Sequence, residues 1–280
     1  MERMMVALNS TARLLAGSCV SAAFALNCAF AQPAPAFEPK VGQRGKDVVW
    51  VPTAQALVDR MLNIAKVTAD DYVIDLGSGD GRTVITAAKR GATAHGIEYN
   101  PDMVELSKRN AEKEGVSAKA TFEKADLFES DFSKATVITM FLLPTINMKL
   151  MPKLLAMKPG TRIVSNSFDL GEWKADETVS ANEECSSHCT AYFWVVPAQA
   201  EGTWQTPQGE LTLQQTFQMV KGTLKSGNVI APVTDGKLTG DQIAFTAAGT
   251  RYTGKVTGDA IAGKSNAGGK EADWKATKAK

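Results

Sequence analysis

The stretch VIDLGSGDGR, residues 73–82, decides the fold. The run YVIDL at 72–76 is short and apolar, as in a buried strand, and a helical pattern follows Gly81. Between them, Gly77 and Gly79 join Gly81 in a tight turn where backbone can approach a ligand without side-chain clashes. The helix that follows presents free N–H groups and the positive end of its dipole. The stretch therefore predicts a strand, a glycine loop and a helix around a small-molecule site.

Strands and helices alternate along the chain on both sides of the glycine loop. We predict strands at 72–76, 92–98, 119–125, 135–142, 161–168 and 190–196, and helices at about 54–65, 82–89, 101–114 and 147–157. Thr53 is expected to cap the first helix, and Asn100 the third, with Pro101 at its first position. This alternation predicts an α/β fold: a Rossmann-like, mostly parallel sheet with helices on both faces.

The pattern changes at about Pro197. Short strands then alternate with glycine turns, as in GTLKSGN, GKLTGDQIAFT and YTGKVTGDAIAG, without a helical period. A small antiparallel sheet or barrel fits this texture, with an edge strand around Trp274. Four segments follow from these observations: a signal peptide at 1–31, a linker or arm at 32–49, an α/β domain at 50–197 and a small β-rich domain at 198–280.

The N-terminal segment has the features of a secretory signal. Arg3 and Arg13 flank an apolar run that ends in Ala29-Phe30-Ala31, which predicts cleavage after Ala31. The alternative is an anchor that stays attached. Cleavage implies a periplasmic or secreted protein. After this segment there is no run of 18 apolar residues, so no further membrane span is expected.

Cys185 and Cys189 remain after cleavage, in the motif CSSHC. They could form a disulfide, stay as free thiols, or bind a metal together with His188. Three residues so close in sequence are too few and too crowded for a closed zinc site. In an oxidising compartment we expect the disulfide.

The overall charge gives no sign of a nucleic-acid partner. The 280 residues carry a formal net charge of +1 with 22% charged residues, which is ordinary for a globular protein. Binding to a polyanion would need a strong basic excess or patch. Oligomeric state is open at this stage.

The glycine loop resembles motif I of class I S-adenosyl-L-methionine (SAM)-dependent methyltransferases. Its spacing is G-x-G-x-G with Asp75 two residues before the first glycine, whereas dinucleotide sites use G-x-G-x-x-G. The resemblance implies SAM as cofactor, with Asp75 at its amino group, Glu98 at the ribose hydroxyls and Asp126 at the adenine amino group. The expected cofactor-binding residues are Asp75, Gly77, Ser78, Gly79, Asp80, Gly81, Glu98, Tyr99, Asp126 and Leu127.

Further motifs narrow the resemblance over residues 48–197. WVPT at 50–53 and FLLP at 141–144 are similar to those of small bacterial methyltransferases related to the FAM173-type protein-lysine methyltransferases, and to the catalytic region of Dot1-type enzymes. The resemblance implies methyl transfer to an amine, most directly a protein lysine, with Phe141, Pro144 and Thr53 beside the transfer site. No metal is required for such a displacement. The alternative is an exported binding module with a methyltransferase-like fold that has lost turnover.

Two aromatic side chains complete the expectations. His95 lies in a predicted buried strand, which favours a structural role, and a histidine general base is not expected. Trp173 is expected in a flap after the fifth strand or on the surface.

Overall fold

The computed structural model describes residues 37–279 of the chain. These residues form an α/β domain followed by a β-barrel. The predicted signal, with its cleavage point after Ala31, lies outside the described residues. Of the helices within 37–279, none is both long and apolar enough to cross a membrane.

The α/β domain alternates strands with helices along the chain, as the sequence predicts. The helices are α1 Gln55–Ile64, α2 Arg82–Lys89, α3 Pro101–Lys113 and α4 Pro144–Leu155. The strands are β1 Tyr72–Leu76, β2 Thr93–Glu98, β3 Ala120–Lys124, β4 Val137–Met140, β5 Arg162–Asn166, β6 Glu177–Ser180 and β7 Thr190–Val195.

These strands form one sheet in the order β3-β2-β1-β4-β5-β7-β6. Strands β1 to β5 pair in parallel, whereas β7 runs antiparallel to β5 and β6. Chain order reverses between β1 and β4, and the carboxyl ends of strands at such a reversal open into a crevice. The predicted Rossmann-like, mostly parallel sheet is confirmed.

Helices cover both faces of the sheet because successive strand residues point in opposite directions. Val73 of β1 packs in a buried cluster with Leu57 of α1 and Val84 of α2. The next residue, Ile74, packs in a second cluster with Leu150 of α4. Each face of the sheet therefore has its own apolar core.

Three local features differ from the sequence expectations. Ala54, not Thr53, is the N-cap of α1, and the Thr53 hydroxyl instead accepts a 3.1 Å hydrogen bond from Asn166 Nδ2. Helix α4 begins at Pro144 rather than at 147, which suits proline because the first helical residue needs no N–H partner. Strand β6, Glu177–Ser180, was not predicted, since its side chains are exposed or half-buried.

The β-rich domain is a closed eight-stranded barrel. Its strands are β8 Gly202–Thr206, β9 Gly209–Thr216, β10 Met219–Ser226, β11 Val229–Thr239, β12 Gln242–Ala247, β13 Thr250–Thr257, β14 Ala260–Ala267 and β15 Lys270–Lys278. Each strand pairs antiparallel with the next, and β15 closes the barrel on β8. The strand around Trp274 is therefore not an edge strand, because β15 is paired on both sides.

Aromatic side chains fill the barrel interior. The ring of Phe245 stacks on Tyr252 with centroids 4.9 Å apart, and Trp274 meets both rings edge-on. The buried indole N–H groups are paired: Trp274 donates to the Thr253 carbonyl and Trp204 to the Ala200 carbonyl, each at 2.9 Å. An eight-stranded barrel is just wide enough to be filled by side chains in this way.

Trp173 joins the two domains instead of lying in an exposed flap. Its side chain is fully buried and stacks on Phe217, at the β9–β10 turn, with ring centroids 6.0 Å apart. Nearby, Gln218 Nε2 donates to the Lys174 carbonyl at 2.8 Å, and Lys237 pairs with Asp176 at 2.8 Å. Apolar stacking and polar bonds together attach the barrel to the segment after β5.

Candidate active site

A cavity of about 660 Å³ opens at the carboxyl ends of the parallel strands, beside the reversal between β1 and β4. Small-molecule sites in proteins typically measure ~300–1,000 Å³. Residues 43–53, the glycine loop and the ends of β2, β3 and β4 line the cavity. The predicted glycine loop is thus on the wall of a cavity of cofactor size.

Asp75 is a buried carboxyl group that has no cationic hydrogen-bond partner among the described residues. It lies near the end of β1, is 6% exposed, and accepts a 2.6 Å hydrogen bond from the Thr139 hydroxyl of β4. Burial raises the pKa of Asp75 to about 7, against the hydrogen bond from Thr139, and the nearby carboxylates of Asp80 and Glu98 raise it further. A cationic ligand group placed here would relieve both effects.

The glycine loop needs glycine for backbone conformation and for space. Gly79 has a φ of +55°, and a Cβ on it would lie 2.8 Å from Trp50 Nε1. Gly81, the N-cap of α2, has a φ of +83°, and its Cβ would lie 2.8 Å from the Phe122 ring. Side chains at either position would strain the backbone and displace an aromatic neighbour.

Glu98 is held at the cavity by two backbone donors. Its carboxylate accepts from the Gly79 N–H at 3.0 Å and from the Asn100 N–H at 2.9 Å. An ionised carboxylate offers about four acceptor positions, so two remain for a diol. The arrangement is what a ribose-binding residue requires.

Asp126 contacts the N-terminal arm. Its carboxylate accepts from the Phe128 N–H at 2.9 Å and pairs with Lys46 Nζ at 2.5 Å. The hydrogen bond from Lys46 holds the pKa of Asp126 below its usual range. The same ammonium lies 4.6 Å from the centroid of the Tyr99 ring. Lys46 therefore occupies the surroundings of two residues that the sequence assigned to the adenosine end of the cofactor.

The arm itself is a short hairpin over the cavity. Gly42 N–H donates to the Trp50 carbonyl at 2.9 Å, and Trp50 N–H donates to the Gln43 carbonyl at 2.8 Å. Beyond it, the Thr53 carbonyl accepts from Arg82 Nη1 at 2.7 Å. The arm is thereby attached to the first turn of α2, close to the glycine loop.

Three rings form the opposite end of the cavity, which we call the aromatic wall: Phe141, Phe168 and His188. Ring centroids lie 5.1 Å apart for Phe141 and His188, 6.3 Å for Phe141 and Phe168, and 6.5 Å for Phe168 and His188. Phe141 follows β4, Phe168 follows β5 and His188 precedes β7. Because β7 runs antiparallel, its beginning lies at the same sheet edge as the ends of β4 and β5.

Cys185 and Cys189 form a disulfide, with their Cα atoms 5.6 Å apart. The pairing uses both sulfurs and so leaves no thiolate for a metal. Among the described residues, no group of three or more potential ligands is arranged to hold a metal ion.

The cavity brings together most of the residues that the sequence singled out. Gly81 and Pro144 do not line it: Gly81 starts α2, and Pro144 is the exposed first residue of α4. Those that line it are Thr53, Asp75, Gly77, Ser78, Gly79, Asp80, Glu98, Tyr99, Asp126, Leu127 and Phe141.

Sequence reasoning missed three contributors to the cavity: the arm at 43–49, Phe168 and His188. The signal for His188 was its place between two cysteines of one short loop, which a disulfide makes rigid. His95, by contrast, pairs with Thr121 at 2.8 Å on β3 and is not among the lining residues.

Comparison with known proteins identifies the family. The profile of the ANTKMT methyltransferase domain matches residues 75–177. A protein-lysine N-methyltransferase of Saccharolobus islandicus (strain REY15A) is 45% identical over 152 residues, covering 53% of this chain and 94% of the relative. A lysine N-methyltransferase of Homo sapiens that is named for ATP synthase is 32% identical over 168 residues, covering 54% and 72%. The chain belongs to this methyltransferase family.

A solved structure supports the same conclusion for the cofactor. An RNA methyltransferase from Salinibacter ruber, crystallised with S-adenosyl-L-homocysteine (SAH), is 46% identical, with a TM-score of 0.50, and is matched over 53% of this chain and 95% of its own. The methyltransferase described here is SAM-dependent, as predicted.

The residues of the cavity fit this cofactor. Asp75 offers a buried carboxyl group to a cationic amino group, and Glu98 offers free acceptor positions to a diol. Gly79 leaves space where a side chain would clash. When SAM is bound, its sulfonium supplies an electrophilic methyl group.

Proposed function

We propose that this methyltransferase acts on an amine, most directly the side chain of a protein lysine. The observation that carries the proposal is the aromatic wall at the end of the cavity away from Glu98 and Asp126. An unbranched alkyl amine has an apolar stem that such a surface can cover, and a nitrogen at its tip that reaches inward.

The chemistry of a lysine acceptor sets one condition on this end of the cavity. A lysine ammonium has a pKa near ~10.4 and carries no lone pair, so it must lose its proton before it attacks. An apolar surface favours the neutral amine, and so does a nearby positive charge. Phe141 and the exposed Leu143, which both line the cavity, provide apolar surface there, and water can take the proton.

Relatives favour a protein substrate, with one exception. The two curated relatives described above are named as lysine methyltransferases, whereas the Salinibacter protein is named as an RNA methyltransferase. The net charge of +1 gives little attraction for a polyanion. We therefore favour lysine, and RNA becomes an explicit arm of the test.

We also propose that the mature chain begins at Gln32 and works in the periplasm or outside the cell. The charged start, the apolar run and the A-F-A site support export, and the Cys185–Cys189 disulfide is typical of oxidising compartments. Intact mass of the protein from the envelope fraction checks this. A full-length species recovered from the cytosol would rule it out.

The substrate class is tested with the chain from Gln32 and SAM carrying a labelled methyl group. Envelope proteins, cytosolic proteins and total RNA serve as separate acceptors, and mass spectrometry locates the label. We expect label on lysine nitrogen and a rate that rises from neutral to alkaline pH. Asp75→Ala is the inactive control, because it removes the buried carboxyl group near the end of β1. Label on RNA, oxygen or carbon alone would refute the lysine proposal and leave the methyltransferase activity intact.

A further inference from the structure

The loop between β6 and β7 brings to the cavity a histidine that the sequence did not connect with it. His188 lies against Phe141, and both line the cavity. Its φ is +56°, in the left-handed region that few residues other than glycine adopt. Strained backbone of this kind concentrates at ligand sites, where the surrounding structure holds it in place.

A second strained residue turns a neighbouring ring toward the same place. Ser167, just after β5, has a φ of +63°, and its N–H donates to the Thr190 carbonyl at 2.7 Å. Phe168 follows it. The buried Asn147 of α4 holds this turn, since its Nδ2 donates to the carbonyls of Phe168 and Asp169, each at 3.1 Å. Two adjacent strand ends are thus both bent so that a ring faces the cavity.

The disulfide closes a loop whose two ends are anchored separately. The Cys189 carbonyl accepts from the Ala181 N–H at 2.9 Å and from the Ser180 hydroxyl at 3.2 Å. At the other end Cys185 packs against the core cluster that includes α1, and its neighbour Glu184 pairs with Arg60 of α1 at 3.1 Å. The cross-link between these anchors leaves three exposed residues, of which His188 is the one that reaches the aromatic wall.

We propose that His188 positions the methyl acceptor, that its imidazole extends the aromatic wall along the alkyl stem of the amine, and that the Cys185–Cys189 disulfide holds it there. This inference rests on the proposed amine acceptor. It makes acceptor binding, but not cofactor binding, dependent on the oxidised loop. In an exported enzyme the oxidised form is the working form, and reduction weakens capture of the acceptor.

The test compares wild type with His188→Ala, His188→Phe and the double variant Cys185→Ser/Cys189→Ser, with Ser187→Ala as the control in the same loop. Each protein is assayed with SAM and Nα-acetyl-lysine methylamide as the probe amine, and KM and kcat are measured separately. Calorimetry with SAH gives the cofactor affinity of each protein. Wild type and His188→Ala are also assayed after treatment with dithiothreitol.

We expect His188→Ala to raise the KM for the probe by about threefold to tenfold, the range expected for loss of one ring against an amine. His188→Phe should restore most of the loss. The double cysteine variant and reduced wild type should match His188→Ala, and reduction should add nothing to His188→Ala itself. SAH affinity and the Ser187→Ala variant should stay at wild-type values.

Three results would overturn the proposal: equal impairment of His188→Phe and His188→Ala, additive effects of reduction and His188→Ala, or a change confined to SAH affinity. A wild-type protein that ignores the probe amine but methylates RNA contradicts the proposed function alone. The same variants with RNA as the probe then decide the role of His188. A wild type that methylates neither contradicts both.

Discussion

The α/β domain and the barrel bury different kinds of side chain. Among residues 37–279, eleven of the thirteen buried polar side chains lie between Thr53 and Asn166, and the other two, Gln218 and Ser265, lie in the barrel. The barrel interior is filled instead by rings such as those of Phe245 and Trp274. Burying a polar group costs free energy unless it is paired, so the α/β domain gives up stability where the barrel does not.

This difference separates what each domain does. The least compensated polar group, Asp75, faces the cavity, whereas the barrel is packed for stability and attaches to the α/β domain through Trp173 and Phe217. Function and stability should therefore respond to different substitutions.

The largest expected effect is on stability, from the barrel core. Phe245→Ala removes a ring that contacts Tyr252 and Trp274, and deletion of a buried phenylalanine ring typically costs ~3–5 kcal/mol. Urea unfolding should show this loss, whereas the folded variant should bind SAH as wild type does. Lys221→Ala on the exposed barrel surface is the control and should stay within ~0.5 kcal/mol. Weakened SAH binding by folded Phe245→Ala would show that the barrel core also shapes the cavity.

In the α/β domain, Asp75→Asn should separate affinity from stability. Loss of a charge-assisted bond to the amino group of the cofactor should weaken SAH binding by roughly 1.5–3 kcal/mol, which calorimetry measures. The same substitution should stabilise the protein without ligand at pH 8, because the native state no longer has to hold a buried carboxylate.

Asp71→Asn is the matched control, since Asp71 is also buried but is paired. Burial opposes ionisation of Asp71, yet hydrogen bonds from the Thr68 backbone, Thr136 and Arg162 hold its pKa below the usual value. Asp71→Asn should therefore lower stability and leave SAH affinity unchanged. If both variants changed stability in the same direction, the contrast between the two carboxylates would be wrong.

The pH dependence follows from the raised pKa of Asp75, about 7 in the folded protein. A carboxyl group whose pKa is raised on folding makes the protein without ligand less stable as pH rises from about 4 to about 7. A cationic ligand group needs the ionised form, so the Kd for SAH should increase about tenfold between pH 8 and pH 6. Calorimetry across this range checks the slope. Asp75→Asn should flatten it; a slope retained in that variant would assign the titration to another group.

Local patterns were enough to predict the sheet and its glycine loop. The apolar run of β1, the glycines and the Asn100-Pro101 helix start act over a few residues, so the sequence shows them directly. The order of acids at strand ends follows from the parallel sheet, which brings Asp75, Glu98 and Asp126 to one edge.

Features that depend on contacts distant in sequence escaped prediction. Trp173 is buried only because Phe217, in the other domain, covers it. His188 reaches the cavity because β7 reverses direction and a disulfide closes the loop before it. Neither condition leaves a local periodicity. The β6 strand was missed for a related reason, since a half-exposed edge strand has no apolar alternation.

The smallest expected effect concerns the arm, which contacts the acids of the cavity from outside the sheet. Lys46 pairs with Asp126 and lies over Tyr99, and its side chain is 35% exposed. Half-exposed ion pairs contribute about 0.2–1 kcal/mol, so displacing this one should weaken cofactor binding by about fivefold at most. Lys46→Met should accordingly tighten SAH binding by up to that factor at low salt, and added salt should reduce the difference. Lys149→Met is the control, because its ammonium lies 3.6 Å from the centroid of the Phe128 ring, outside the cavity lining. Calorimetry at two salt concentrations measures both variants. Weaker binding by Lys46→Met would mean that Lys46 contacts the bound cofactor, and the arm would then belong to the binding site instead of competing with the ligand for it.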